Sequence, residues 1–188
     1  MTRIVAGRAG GRLLTVPPRG TRPTSDRVRE ALFSRLEHLD AIEDGVVLDL
    51  YAGSGALGLE AASRGARSVT LVDASARAAE VCRRNVRAVG LPGVVVVAEK
   101  ARTYLDRRAP DPVHLALVDP PYDVTEPDLA HVLAALVPHL HEAAVVVVER
   151  SSRSPEPTWP PGLAPTDRRR YGETVLWFAE PPDASPSA

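Results

Sequence analysis

The sequence predicts an α/β protein with a mostly parallel sheet and helices on both of its faces. From residue 46 onward, apolar segments of strand length alternate with helical segments. The strand segments are apolar almost throughout, which is typical of parallel strands that are buried on both faces. In addition, a glycine-rich loop follows the first of these strands and opens a helix, a common ligand-binding arrangement in such sheets.

Length and composition limit the possible classes of protein. The chain has 188 residues, which is enough for one domain with a small appendage. No uninterrupted apolar run exceeds six residues, whereas a membrane-spanning helix needs about 18. The N-terminus lacks the apolar segment of a secretory signal, and the single cysteine, Cys82, excludes an intrachain disulfide. We therefore expect a cytoplasmic protein.

The charge is unevenly distributed along the chain. Residues 1–25 contain five arginines and no acid, although the net charge of the whole chain is −1. A basic segment attached to an acidic body is typical of proteins that bind polyanions. The simpler alternative is a solvated basic tail.

The elements are expected in the following order. Residues 1–21 predict a basic β-hairpin arm with a glycine-rich turn, and Pro17-Pro18 should end it. The main domain is expected over residues 22–180 and a disordered tail over 181–188. Ser25 or Asp26 is expected to cap a first helix.

The pattern then predicts the rest of the main domain. We expect strands at 46–50, 68–73, 94–97, 115–119 and 143–148, and helices at 56–64, 75–90, 102–108 and 128–136. Residues 151–165 are rich in proline and serine and should form a loop. A hairpin over 167–171 and 174–179 is expected to close the sheet at its edge.

The glycine-rich loop matches the pattern G-x-G-x-x-G over residues 53–58. Asp73 lies 20 residues beyond Gly53, at the end of the second predicted strand. This context is typical of sites for nucleoside cofactors, although a tight turn would also need glycine.

Asp49 favours a particular cofactor. It lies four residues before Gly53, where its carboxylate would oppose a pyrophosphate placed at the helix N-terminus. S-adenosylmethionine suits the position better, because it carries an ammonium and a sulfonium but no phosphate. Asp73 could then accept hydrogen bonds from both ribose hydroxyls. Alternatively, Asp49 caps the helix.

A second motif, Asp119-Pro120-Pro121-Tyr122, follows the fourth predicted strand at the ligand-binding edge of the sheet. The exocyclic amine of a base is a weak nucleophile, and the Asp119 carboxylate and Pro120 carbonyl could accept its N–H bonds and orient it. The prolines would stiffen the turn, and Tyr122 offers a flat face for an extruded base. The alternative is a stiff turn in which Tyr122 only packs.

With these two motifs, the chain resembles the RsmD family of 16S ribosomal RNA (guanine-N2)-methyltransferases. The resemblance runs over about residues 3–178. The glycine loop and DPPY occur in many amino-methyltransferases, and the other segments narrow the resemblance to this family. The matching segments are RIVAGRAGGRLL, RPTSDRVREALF, LDLYAGSGALGLEAASRGA, LVDPPY and YGET.

The resemblance implies a Rossmann-like class I methyltransferase domain over residues 22–180, with a mostly parallel seven-stranded sheet and its last strand inserted antiparallel. It implies S-adenosylmethionine as methyl donor. The implied acceptor is the N2 amine of one guanine in 16S rRNA, within an assembled or partly assembled small ribosomal subunit. We expect a monomer that uses no metal and contacts no membrane.

The resemblance also assigns residues to the site. The expected catalytic residues are Asp119, Pro120, Pro121 and Tyr122. The expected cofactor-binding residues are Asp49, Tyr51, Ala52, Gly53, Ser54, Gly55, Asp73, Ala74, Glu99 and Ala101. The family usually has Asp or Asn directly before Ala101, where this chain has Lys100. The adenine contact is therefore expected to shift to Glu99 or to a backbone amide.

Six residues are expected to bind nucleic acid. Three of them, Arg22, Thr24 and Arg27, should lie beside the mouth of the site and grip phosphates that flank the target guanine. The arm would follow the RNA backbone with Arg3, Arg8 and Arg12. The alternative is an ordinary amphipathic helix with charges on its wet side.

Three other functions remain open from the sequence. A DNA adenine-N6 or cytosine-N4 methyltransferase would share DPPY and base extrusion, but the chain lacks a sizeable insertion for target recognition. A protein glutamine methyltransferase could use a similar turn, but the basic arm favours nucleic acid. A non-catalytic RNA-binding assembly factor would not need Asp49, Asp73 and Asp119 together.

Overall fold

The computed structural model describes residues 2–16, 25–107 and 112–182. Within these residues, Thr2–Arg3 (β1) and Leu13–Leu14 (β2) form a hairpin, and seven further strands form one sheet. The strands of the sheet are Val46–Leu50 (β3), Ser68–Asp73 (β4), Val94–Ala98 (β5), Val113–Val118 (β6), Leu140–Ser151 (β7), Ala164–Tyr171 (β8) and Thr174–Glu180 (β9). The α-helices are Asp26–His38 (α1), Ala56–Ser63 (α2), Ala76–Val89 (α3), Ala101–Asp106 (α4) and Glu126–Leu136 (α5).

The strand order in the sheet is β5-β4-β3-β6-β7-β9-β8. Strands β3 to β7 are parallel to one another, and β9 enters antiparallel between β7 and β8. This topology confirms the predicted Rossmann-like sheet with its last strand inserted antiparallel. The chain moves outward from β3 to β5 and then crosses back to β6, so a crevice opens at the carboxyl ends of β3 and β6.

Both faces of the sheet are covered. On one face, Val47, Leu117 and Val147 pack in a core with helices α1 to α3. On the other face, Leu48 and Val146 belong to a second core with α4 and α5. Two buried faces explain why the strands contain so few polar residues.

Side-chain caps set the starts of three helices. Ser25 Oγ accepts the Val28 N–H at 3.3 Å, as predicted for the first helix. Ser75 caps α3 and Thr125 caps α5 in the same way. None of the described helices has the length and apolar surface needed to cross a membrane.

Strand β7 is longer than predicted. The apolar segment 143–148 predicts only its middle, whereas the strand runs from Leu140 to Ser151. The extension contains polar residues such as Glu149 and Arg150, whose backbone pairs with β9. Backbone hydrogen bonds between distant segments, rather than apolar periodicity, set this length.

The hairpin is anchored to the main domain. Ile4 and Leu14 are buried in the same core as α1 to α3. The backbone N–H groups of Val5 and Ala6 donate to the Glu60 carboxylate at 2.7 and 3.0 Å. The predicted end of the arm at Pro17-Pro18 lies outside the described residues, as does 183–188 of the predicted tail.

Candidate active site

A cavity of about 620 Å³ opens at the carboxyl edge of the sheet. Most of the predicted site residues line it, although they come from separate parts of the chain. From the predicted cofactor set, the lining residues are Asp49, Tyr51, Ala52, Gly53, Ser54, Asp73 and Ala74. The predicted catalytic residues Asp119, Pro120, Pro121 and Tyr122 line it as well.

Asp49 is 1% exposed, and its Oδ2 accepts the Gly58 N–H of α2 at 2.9 Å. Asp49 therefore caps α2, which was the alternative to a role in cofactor binding. The same carboxylate also lies on the cavity wall. One side chain can thus hold the start of α2 and face a ligand.

Two positions of the loop require glycine for different physical reasons. Gly55 has φ +78°, and a Cβ there would lie 2.9 Å from Leu71 Cδ1, so glycine lets the loop pack on β4. Gly53 has φ +59°, but a Cβ there would meet nothing closer than 3.9 Å. Gly53 therefore needs glycine for its backbone conformation, and it borders open space where a ligand can approach.

Asp73 is held by the glycine loop and by the start of α3. Its Oδ2 accepts the Gly53 N–H and its Oδ1 accepts the Ser75 N–H, both at 2.8 Å. A carboxylate oxygen has more than one lone pair, so each can accept a further hydrogen bond. Asp73 is therefore positioned to accept both hydroxyls of a ribose.

The cavity wall concentrates acidic groups whose pKa values are raised. Burial raises the pKa of Asp49 to about 7, with the Gly58 N–H opposing the rise and the Asp73 charge adding to it. Burial also raises the pKa of Asp119 well above its usual value; Glu149 and Asp49 add to this rise, and Arg150 opposes it. Clustered acids with raised pKa values in a cleft are typical of sites that bind a cation or move a proton.

The DPPY turn leaves the end of β6 at the rim of the cavity. The Asp119 N–H donates to Leu50 O of the neighbouring strand at 3.4 Å, and the Val124 N–H closes the turn on Pro121 O at 3.0 Å. Tyr122 is 80% exposed. The alternative in which Tyr122 only packs is wrong, because its ring presents a free face at the rim.

Sequence reasoning missed several lining residues at the end of β7 and on α1. Glu149, Arg150 and Ser151 line the cavity beside the turn. Val118 pairs with Val148, so the next residues, Asp119 and Glu149, are neighbours across the two strands. Extending the predicted strand beyond residue 148 would have located them, because parallel strands end at one edge. Arg29 of α1 also lines the cavity. No motif or spacing around Arg29 predicts this position.

Three predicted cofactor residues do not line the cavity. Gly55 lies on the side of the loop that packs against Leu71 of β4. Ala101 is the first residue of α4 and is buried in the core. Glu99 Oε1 accepts a hydrogen bond from Arg107 Nη2 at 2.5 Å. Lys100 lines the wall at this point instead.

The predicted RNA-binding arginines of the hairpin contact the protein body. Arg3 forms an ion pair with Asp26 at 2.8 Å, and Arg12 donates to the last carbonyls of α3. Arg8 donates to Ala62 O at 3.5 Å. All three remain exposed, because the hairpin holds only part of each guanidinium against the body.

Among the helix residues of the predicted RNA-binding set, Arg27 is exposed in the first turn of α1. Arg22 and Thr24 lie outside the described residues.

These residues fit S-adenosylmethionine. Asp73 suits a ribose, and the cavity acids Asp49 and Asp119 suit a ligand with positive charge rather than a pyrophosphate. In the described part of the chain, no group of three or more His, Cys, Asp or Glu side chains is arranged to hold a metal ion.

Comparison with known proteins places the chain in a family. Residues 2–180 match the family model described as Conserved hypothetical protein 95. The chain is 40% identical over 121 residues to Ribosomal RNA small subunit methyltransferase D of Escherichia coli K12, a match covering 64% of this chain and 60% of that protein. It is 31% identical over 177 residues to Putative rRNA methyltransferase YlbH of Bacillus subtilis 168, covering 92% and 95%.

A solved structure agrees with this placement. The structure described as putative methyltransferase yhhF from Escherichia coli superposes with a TM-score of 0.82 at 32% identity, covering 95% of this chain and 97% of that one. The chain therefore belongs to the Conserved hypothetical protein 95 family, which is the RsmD family that its sequence resembles.

Proposed function

We propose that the protein transfers a methyl group from S-adenosylmethionine to the exocyclic N2 amine of one guanine in 16S rRNA. One observation carries the proposal: the Asp119-Pro120 turn and the acid-lined glycine loop border the same cavity. The names of the relatives from Escherichia coli and Bacillus subtilis support rRNA as the acceptor.

The cofactor end of the cavity orients and stabilises the donor. When bound, S-adenosylmethionine supplies a methyl group on a positively charged sulfur. Asp73 accepts hydrogen bonds from the ribose hydroxyls while the glycine loop holds its carboxylate in place. A bound cation would favour the ionised forms of Asp49 and Asp119, whose pKa values are raised by burial and by neighbouring acids in the protein without ligand.

The other end of the cavity positions the acceptor. The Asp119 carboxylate and the Pro120 carbonyl accept the N–H bonds of the amine, so that its lone pair points at the methyl carbon. Tyr122 stacks on the extruded base. Fixing both reactants in this geometry removes much of the entropic barrier of a bimolecular transfer.

The reaction balances without a covalent enzyme intermediate. A bond would form between the amine nitrogen and the methyl carbon, the carbon–sulfur bond would break with its electron pair going to sulfur, and the nitrogen would lose one proton. The ionised Asp119 carboxylate would take that proton, and its raised pKa favours the carboxyl that results. Such a direct transfer needs no metal.

The acceptor wall favours guanine. Guanine presents the N2 amine and the neighbouring N1–H, so this part of its edge consists of donors. Glu149 lies near the end of β7 beside Asp119, and both carboxyl groups line the cavity. Adenine presents a ring-nitrogen acceptor beside its amine, which would face a carboxylate unfavourably.

Basic residues of α1 and the hairpin would form the surface that binds the RNA. Exposed Arg27, together with Arg22 and Thr24, would contact phosphates near the mouth, and the hairpin arginines would contribute their exposed parts. We further propose a monomer that acts in the cytoplasm on assembled or partly assembled small subunits, where the RNA presents the target in a fixed shape.

The test uses purified protein, labelled S-adenosylmethionine and four separate acceptors. These are naked 16S rRNA, small subunits from a strain lacking the enzyme, duplex DNA and total protein. We expect label in N2-methylguanine of the small subunits. Label only in DNA or protein, or in another base of the RNA, would overturn the proposal, as would cofactor binding without transfer to any acceptor. Asp119→Ala serves as the inactive control.

A further inference from the structure

Arg29 is a buried cation with an incomplete set of partners. Its side chain is 1% exposed, and its Nη2 donates to Thr2 Oγ1 at 2.8 Å and to Asp26 Oδ1 at 2.5 Å. Its Nε and Nη1 are buried and have no hydrogen-bond partner among the described residues. A buried donor without an acceptor is costly, and more so when it carries a charge. Because Arg29 lines the cavity, a ligand there can supply the missing acceptor.

The hairpin places Arg29 on the same wall as the glycine loop. Thr2 of β1 accepts from Arg29, and Asn85 Nδ2 donates both to Thr15 O beside β2 and to Ser54 O of the loop. The hairpin segment therefore contacts Arg29 directly and is joined to the loop through Asn85. The ribose of the proposed cofactor would lie on the other side of the loop, where Asp73 ends β4 and Ser75 caps α3.

The other cations of the lining are less suited to this end of the ligand. Arg77 lies in the first turn of α3, just after Asp73. Lys100 follows Ala98, which pairs with Asp73, so it too belongs to the ribose and adenine end.

Arg150 is the remaining cation on the wall. Its Nε is also buried without a partner among the described residues, but its Nη2 pairs with Glu126 of α5, on the opposite face of the sheet. Among the cations that the structure describes on the wall, Arg29 is therefore the one placed for an anion next to the loop.

We propose that Arg29 binds the α-carboxylate of the methionine part of S-adenosylmethionine, an assignment that rests on the proposed function. This carboxylate is the one anionic group of that cofactor, and the acids beside the loop, Asp49 and Asp73, would not favour it. Arg29 supplies the opposite charge, and its buried Nε and Nη1 supply N–H donors that have no other partner among the described residues.

The test compares two ligands that differ in this carboxylate. Calorimetry measures the Kd of S-adenosylmethionine and of its decarboxylated analogue for the intact protein and for Arg29→Met and Arg29→Lys. For the intact protein we expect about 100-fold tighter binding of the carboxylated ligand, as hydrogen bonds to a charged group imply. Arg29→Met should bring the two Kd values within about threefold, and Arg29→Lys should restore part of the preference.

Arg35→Met is the matched control. Arg35 also lies on α1 and is partly buried, but it pairs with Asp167 and does not line the cavity. The ratio of the two Kd values for the Arg35→Met variant should equal that of the intact protein. A purely structural role for Arg29 would weaken both ligands equally and leave their ratio unchanged, which would overturn the assignment.

The intact protein alone can also refute the inference, even if a variant fails to fold. Equal affinity for the two ligands would overturn the role of Arg29 and leave the proposed cofactor in place. Failure of the intact protein to bind either ligand would overturn both the assignment and the proposed function.

Discussion

Two almost fully buried arginines, Arg29 and Arg64, differ in how their charges are matched. The Arg64 side chain is 3% exposed, and it forms ion pairs with Glu60, Glu30 and Glu37 at 2.8, 2.9 and 3.1 Å. Each of its three nitrogens thus meets a carboxylate. Arg29 has partners at Nη2, whereas its Nε and Nη1 have none among the described residues.

The buried acids show the same contrast. Glu60 is 0% exposed, and it accepts two backbone N–H groups of the hairpin as well as Arg64 Nε. Asp119 instead lies among other acids, and its pKa is raised by burial and by their charge. A buried charge with matched partners stabilises the fold, whereas one left unmatched beside a cavity indicates a ligand site.

The largest effect is expected for Asp119→Ala, which removes an unmatched acid. Methyl transfer should fall by about a thousandfold, since both the acceptor of the amine N–H and the proton holder are lost. The free energy of unfolding should change by less than about 1 kcal/mol, because no matched charge is broken. Single-turnover rates on small subunits and urea unfolding measure the two quantities. A variant with activity within tenfold of the intact protein would remove Asp119 from the mechanism.

Glu60→Gln tests the matched cluster, by which we mean Arg64 and its three carboxylate partners Glu60, Glu30 and Glu37. It should lower the free energy of unfolding by about 3 to 5 kcal/mol, because Arg64 would lose a buried counter-charge and the hairpin N–H groups a charged acceptor. Urea unfolding at neutral pH measures this loss. If the loss were under about 1 kcal/mol, the contrast between matched and unmatched charges would not hold.

Asp49→Asn tests whether an unmatched acid makes stability depend on pH. Burial raises the pKa of Asp49 in the folded state from its usual value of 3.8 to about 7. The folded state therefore binds a proton more tightly than the unfolded state, and the resulting stabilisation is complete below about pH 4. This stabilisation is lost as the pH rises through about 7.

Between pH 5 and 7, the intact protein should lose about 2 kcal/mol of unfolding free energy relative to Asp49→Asn. The comparison requires urea unfolding of both proteins at several pH values. Parallel stability curves would show that Asp49 does not retain a proton in the folded state.

The smallest effect is expected at the exposed ends of the matched cluster. Glu30 and Glu37 are about half exposed, so replacing either one with Gln should cost less than about 1 kcal/mol. Thermal unfolding in low and high salt measures the cost and its screening. A loss as large as that for Glu60→Gln would mean that burial does not set the value of these ion pairs.

Much of the fold followed from local pattern. Ser25 capped the predicted first helix, and the apolar segments marked the parallel strands of the sheet. The glycine loop and the DPPY turn reached one cavity because both follow strands that end at the same edge. Spacing along the chain suffices for such features, since each depends on a few neighbouring residues and on a general rule of sheet topology.

Other features required contacts between distant segments. Arg29 resembles any charged residue of an amphipathic helix until β1 and the cavity are folded around it. The hairpin arginines were expected to meet RNA, yet Arg3 and Arg12 also hold the hairpin on the main domain. Local sequence pattern thus specified the sheet, its helices and the two motifs. Folding in three dimensions assigned partners to each buried charge, because those partners lie tens of residues away and desolvation depends on everything packed around them.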